Sequence, residues 1–381
     1  MKSVGIISEY NPFHNGHLYH AQQSKLLSQT DVSIAFMSGN FVMRGEPALF
    51  NKFIRTQMAL SAVDLVVELP TIASLSSGDY FGEMAIKLAD YLDVNTISFG
   101  SEHGNINALK EAAQQVLDLE NSDAFKSKLK EGKSYPRIIN ELIQHQSTND
   151  ILQSPNNILS IGYLKGIQQF APQIEAITIR RDTAQHREQT IQHQQFASGS
   201  SIRQSIIHHH SDWENVVPGA IKSLYHSQFT TVEHAFPYIK YQLLTQRTST
   251  LKTIYTMSEG LENRLISMIK DAHSFKDLLT KVKTKRYTYT HIQRILMNIL
   301  LNIQQTDINH NIYAARILGM NENGRAYLKY LKHQFPERHF ITNINQSSSA
   351  YFPIEIKATH IYNLMTEQSD DDDFNTPVIK S

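Results

Sequence analysis

The sequence predicts an α/β protein built on a Rossmann-like, doubly wound parallel sheet and followed by an all-helical domain. Three observations carry this. Short apolar, β-branched runs punctuate residues 1–205. Helical periodicity fills the gaps between them, and strands separated by helices pair in parallel with right-handed crossovers. After about residue 205 the strand-like runs cease and a repeat near 3.6 takes over.

The strand candidates are Val4–Ser8, Val32–Met37, Leu65–Leu69, Thr96–Phe99 and Ala176–Ile179. Each is a short apolar run of the kind found in strands covered on both faces. Phe81, Met84, Ala85, Leu88 and Leu92 recur at steps of three and four and predict one intervening helix. Ser154-Pro155 supplies an N-cap and an N1 proline for another over 156–168. Further on, Ile292, Ile295, Leu296 and Ile299 mark a helix in the second domain. The expected division is 1–205 for the α/β part, 206–345 for a helical, basic part, and 346–381 for a C-terminal segment. That last segment carries the acidic run Ser369 to Asp373, read as a solvated tail.

A chain of 381 residues suits about two domains. The absence of cysteine removes disulfides, thiolate metal sites and thiol nucleophiles. The N-terminus reads as a strand and not as a signal peptide, and no stretch reaches the ~18 apolar residues of a membrane span, so the expected location is the cytoplasm. Lys plus Arg and Asp plus Glu each number 36, yet residues 211–340 hold 17 basic against 10 acidic residues. Overall neutrality therefore leaves room for a nucleic-acid partner of the second domain.

The chemistry concentrates where the first strand ends, in Glu9-Tyr10-Asn11-Pro12-Phe13-His14-Asn15-Gly16-His17. Gly16 admits close backbone approach, and the following helix start offers free amides and a positive dipole end to phosphate. His14 and His17 add donors beside those amides. Such a set suits displacement at an α-phosphate, where charge builds on phosphoryl oxygens and departing pyrophosphate. A second candidate phosphate element is Ser198-Gly199-Ser200-Ser201-Ile202-Arg203. Here Ser201-x-x-Gln204 reads as a capping box, and Arg203 lies in the first helical turn.

His14-x-Gly16-His17 together with the Ser201–Arg203 element resembles the nucleotidyltransferase superfamily related to class I aminoacyl-tRNA synthetases. Longer strings narrow this. Ser8 to His17, Met37 to Phe41, Arg44 to Pro47, Val67 to Pro70, Phe99 to Glu102 and Pro155 to Leu159 are together similar to the bacterial tRNA(Met) cytidine acetate ligase family. The resemblance implies an enzyme that makes acetyl-adenylate from acetate and ATP. It then acylates N4 of the wobble cytidine of elongator tRNA(Met), without acetyl-CoA. By the same resemblance, His14 and His17 are catalytic. ATP lies along Ile7, Ser8, Glu9, Tyr10, Asn11, Pro12, Phe13, His14, Asn15, Gly16, His17, Leu18, Tyr19 and His20. It also meets Gly100, Ser101, Asn156, Asn157, Arg180, Arg181, Ser201 and Arg203. The chain departs from the family at Gln185-His186-Arg187 and at Gly199, where a serine or alanine is usual.

The residues support this chemistry on their own terms. Acetate is already ionised at neutral pH, so adenylation needs positioning and charge stabilisation more than a base. Mg²⁺ is expected with the triphosphate; no protein metal site is expected. Glu9, Glu68 and Glu102 stand at strand ends as further candidates. Arg44-Gly45-Glu46-Pro47 and Asn51–Arg55 follow the second strand and could contact substrate or RNA phosphate at the strand-end rim, Lys52 and Arg55 sharing one face of a helix starting near Asn51. Lys281, Lys283, Lys285, Arg286 and Arg294 interleave with Tyr287, Tyr289 and His291, a mixture suited to phosphates and unpaired bases.

Two readings compete: a small-molecule adenylyltransferase of the same superfamily, and an RNA-binding module with a vestigial nucleotide site. Two other signals are decoys. Gly132-Lys133-Ser134 lacks the upstream glycine and strand of a P-loop. His208-His209-His210 points in three directions on a helix, which reads as a frayed end.

Overall fold

The computed structural model describes all residues except 132, 134, 182–190, 192–194, 285, 286 and 368–371, and the side chains of 136 and 372 are likewise left aside. All five expected strands form, four of them with slightly wider bounds: β1 (Ser3–Ser8), β2 (Val32–Ser38), β5 (Leu65–Leu69, as expected), β6 (Thr96–Ser101) and β7 (Glu175–Arg180). Between β2 and β5 lies a small antiparallel hairpin of β3 (Phe41–Val42) and β4 (Glu46–Pro47). Three more strands come late: β8 (Ala314–Met320), β9 (His339–Ile341) and β10 (Ile379–Lys380). The main sheet runs β10-β8-β5-β2-β1-β6-β7, with β9 beside β8. Every pairing in it is parallel except β5 with β8.

β8 corrects the sequence expectation, because residues 314–341 do not belong to the helical part. Ala314-Ala315-Arg316-Ile317-Leu318-Gly319-Met320 is rich in helix formers, and propensity is a weak prior that tertiary contacts override. A buried Arg316 also hides the alternation expected of a strand.

The helical part proper comprises helices such as Val232–Thr245, Leu261–Ile269, Phe275–Val282 and Tyr289–Leu300. It has no core of its own. One continuous apolar cluster joins Ile34 and Val67 of the sheet to Ile239, Leu265, Ile295 and Ile299 of these helices. The C-terminal segment is also anchored. Helix Pro353–Thr366 packs against the α/β part, and Asp373 is buried against Lys52. This corrects the solvated-tail expectation at Asp373; Ser369, Asp370 and Asp371 lie outside the described residues.

Candidate active site

β1 delivers Glu9 and Tyr10 to the carboxyl end of the sheet, and the chain turns into helix Asn15–Ser28. His14 is the N-cap, its Nδ1 accepting from the Gly16 amide at 3.1 Å. Gly16 is required here, since a Cβ would lie 2.9 Å from His14 Cε1. The His14 and His17 rings stack at 3.7 Å, and Tyr10 meets His17 edge-on at 4.9 Å. With Nδ1 of His14 accepting, its neutral ring carries the proton on Nε2 and can donate from there.

Beyond this turn opens a cleft of about 580 Å³. Of the sequence-derived ATP residues, Ile7, Ser8, Glu9, Tyr10, Asn11, His14, Gly16, His17, Tyr19, His20, Gly100, Asn156, Arg180, Arg181 and Arg203 line it. The others stand behind the wall. Pro12 and Phe13 are buried, and Tyr225 Oη donates to the Phe13 carbonyl. The Asn15 side chain donates to the Gln195 carbonyl at 3.0 Å, and Leu18 packs on the core. Ser101 Oγ bonds Thr178 Oγ1 at 2.7 Å. Asn157 is buried, its Oδ1 accepting from the amides of Glu102 and His103 at 3.0 and 3.1 Å. Of the asparagine pair, then, Asn156 faces the cleft, where its Oδ1 accepts from Arg181 Nη1 at 3.1 Å. Glu102 caps helix Pro155–Phe170 by accepting from the amides of Asn156 and Asn157 at 3.3 and 3.0 Å. Ser154, expected to do so, makes no side-chain cap bond.

The serine element is also rearranged. Ser198 caps helix Gly199–Ile207 by accepting from the Ser201 amide at 3.1 Å, whereas Ser201 sits inside the first turn, buried. Gly199 has a reason in this chain. A Cβ there would stand 3.1 Å from the Asn11 carbonyl oxygen, so glycine lets this helix start press against the His14 turn. Arg203 closes the same junction, donating to the Asn11 carbonyl at 2.8 Å and pairing with Glu46 at 3.3 Å.

Two titratable groups in the cleft are displaced from their ordinary values. Burial, with help from the Arg181 charge, pulls His20 down to about 4, so its ring is neutral at physiological pH. Burial raises Glu9, against the opposing bond that its Oε1 accepts from the Met43 amide at 2.7 Å. Sequence reasoning missed the apolar lining of Phe81, Phe99, Leu159 and Tyr163, and the exposed Phe196 near Tyr19. The periodicity of Phe81 spoke for core, and Phe99 and Leu159 stood in strings that carried the family resemblance without a stated role.

Lys52 and Arg55 do not face RNA. Both are fully buried. Lys52 Nζ lies 3.0 Å from Glu68 and 2.8 Å from Asp373, and these carboxylates outweigh burial and raise its pKa. Arg55 gathers strand ends, donating to the carbonyls of Phe50, Glu9 and Ser38 at 2.9, 2.7 and 3.0 Å and to that of Gly39. A carbonyl-lined cradle satisfies a planar fork of donors without any outside phosphate. Arg294 is half-buried and donates to the carbonyls of Ser76 and Thr290. Lys281 pairs with Asp277 at 2.7 Å, and Lys283 lies over the Tyr289 ring. Lys285, Arg286 and the 185–187 string lie outside the described residues. His208, His209 and His210 are exposed at a helix end, and among the described residues no metal-holding group of His, Asp and Glu occurs.

A family model described as HIGH Nucleotidyl Transferase matches residues 1–376. Proteins of two Staphylococcus aureus strains, MRSA252 and JH9, each named tRNA(Met) cytidine acetate ligase, are 58% identical over 380 residues, covering 100% of this chain and 99% of theirs. The chain belongs to this family of ligases. Its fold agrees with a solved member, Thermotoga maritima TmcAL in apo form, at a TM-score of 0.90 and 26% identity, covering 100% of this chain and 99% of that one. A second crystal form of the Thermotoga protein, bound with α-thio ATP, gives a TM-score of 0.88 at 27% identity over the same shares. Membership of the ligase family makes the cleft the place to look for the nucleotide. Among the described residues no helix is long and apolar enough to cross a membrane.

Proposed function

We propose that this chain forms acetyl-adenylate from acetate and ATP, releasing pyrophosphate, and then transfers the acetyl group to N4 of the wobble cytidine of elongator tRNA(Met). The observation that carries this reading is the stacked His14–His17 pair at the end of β1, facing the Ser198–Ser200 helix start across one cleft. An acetate oxygen attacks the α-phosphorus as the bond to the β-phosphate oxygen breaks. His14 Nε2–H, His17, the amides at Gly199–Ser200, and Arg180 and Arg181 face the charge that develops. In the second step the cytidine amine attacks the acetyl carbonyl and AMP leaves. Neither step draws on acetyl-CoA.

Mg²⁺ would ride on the phosphate oxygens, since the described protein groups offer no three-ligand cluster; Glu9 and Glu46 are the acidic side chains that line the cleft. The test incubates the protein with ATP, labelled acetate and total tRNA, followed by digestion to nucleosides. Label in N4-acetylcytidine, with pyrophosphate exchange that requires acetate, supports the reading. Exchange driven by a phosphorylated cofactor precursor instead of acetate would replace it with a small-molecule adenylyltransferase.

A further inference from the structure

The hairpin β3–β4 touches both halves of the molecule. On one side it enters the cleft wall: the Met43 amide donates to Glu9, and Glu46 pairs with Arg203. On the other it rests on helix Tyr289–Leu300. Gly45 has φ +75°, and a Cβ there would lie 2.4 Å from the Arg294 backbone nitrogen. Hairpin and helix are thus in backbone contact, with no room for a side chain between them. The residue before this contact is Arg44, which is exposed, lines the cleft mouth and forms no ion pair among the described residues. One turn earlier on the same helix, Tyr289 is 49% exposed, with Lys283 Nζ 5.4 Å from its ring centroid.

We infer that this seam is where single-stranded RNA crosses into the cleft: Arg44 holds a phosphate flanking the acceptor cytidine, and Tyr289 receives a neighbouring unpaired base. The inference rests on the proposed function and names the path that reading requires, since an acceptor base leaves its stack to reach a cleft. Charge placement favours a phosphodiester over the ATP triphosphate at Arg44. The amides and histidines suited to a triphosphate stand at the His14 turn and at residues 198–200, whereas Arg44 stands at the mouth of the cleft, on the hairpin that carries Glu46. A phosphodiester brings one charge per nucleotide, and exposed aromatic faces hold bases without reading their sequence.

The test compares the full-length wild type with R44A, R44K and Y289A. Anisotropy titrations with unmodified elongator tRNA(Met) at several KCl concentrations report RNA binding. Acetate-dependent pyrophosphate exchange without RNA reports the ATP site. R44A is expected to raise the Kd for tRNA about tenfold and to make its salt dependence shallower by about one phosphate contact, with exchange kept within about twofold. R44K should recover much of the affinity, and Y289A should weaken binding with the salt slope unchanged. A raised KM for ATP in RNA-free R44A assigns Arg44 to the triphosphate and overturns the inference, as does an unchanged Kd. Absence of acetate-dependent exchange in the wild type would sink the proposed function, while the Kd comparison would still decide the seam.

Discussion

The carboxyl edge of one parallel sheet is finished in two ways. Beyond β1, β6 and β7 the polar side chains face an open cleft. Beyond β2 and β5 the corresponding space is filled from within: Glu68 meets Lys52, Asp373 meets Lys52, and Arg316 stands 3.8 Å from Asp373. Both edges carry a strand-end glutamate, Glu9 on β1 and Glu68 on β5, and burial raises the pKa of each. The difference is the partner. Glu68 has a cation of its own chain within 3.0 Å, whereas Glu9 has a backbone amide and a cavity in front of it. A polar residue at the end of a parallel strand therefore marks a site only where the chain has not already supplied its counterion.

The sharpest way to break this comparison is to replace His14 or His17 with alanine on the open edge. Acetate-dependent exchange is expected to fall about 10²–10³-fold, as when one preorganised donor is lost, with tRNA affinity unchanged in titration. On the filled edge Lys52→Met leaves two buried carboxylates facing one another. Urea denaturation should show a loss of about 3–5 kcal/mol, and residual folded enzyme should keep its KM for ATP. A raised KM without loss of stability would mean that Lys52 serves the ligand after all.

Glu355, buried beside this network, sharpens the comparison through pH. Burial and the Glu68 charge push its carboxyl up to about 7, while its Oε1 accepts from the Thr71 amide at 2.9 Å. The folded state then holds a proton that the unfolded state gives up nearer its ordinary range around 4.5, so stability is lost as pH rises between those values. Glu355→Gln keeps the acceptor and removes the titration. Its stability relative to wild type should improve from pH 5 to pH 8 by on the order of 2 kcal/mol, read from denaturation midpoints. Smallest of all, Gly199→Ala asks the Asn11 carbonyl to yield by a few tenths of an ångström. A rise in KM for ATP of about threefold is expected, with little change in melting temperature.

The sheet was legible because five of its strands are short, mainly apolar runs, and the cleft because His14, Gly16 and His17 follow closely on the first of them. What stayed hidden depended on distant partners. Nothing near Lys52 or Arg55 in sequence says that Asp373 or the Glu9 carbonyl will come to them. The Met37–Phe41 string carried family resemblance only, and its work is internal: Gly39 makes room for Glu68 Oε1, and Asn40 Oδ1 accepts from the Lys52 amide at 2.7 Å. The charge argument also shrinks. With 314–340 returned to the sheet, residues 211–313 keep 12 basic against 8 acidic residues, a modest lean where a strong one was expected.

The apolar cluster that passes unbroken from β2 and β5 into the helices around Ile239 and Ile295 has a thermodynamic consequence. The helical block shares its whole apolar cluster with the sheet, while the sheet keeps a second cluster of its own around Phe50 and Trp213, so the folding of the block is tied to that of the sheet. Heat should dissolve catalytic sheet and helical block in one transition. A fragment cut at 211–313 would carry a bare apolar face into water, where it would aggregate before it could bind anything.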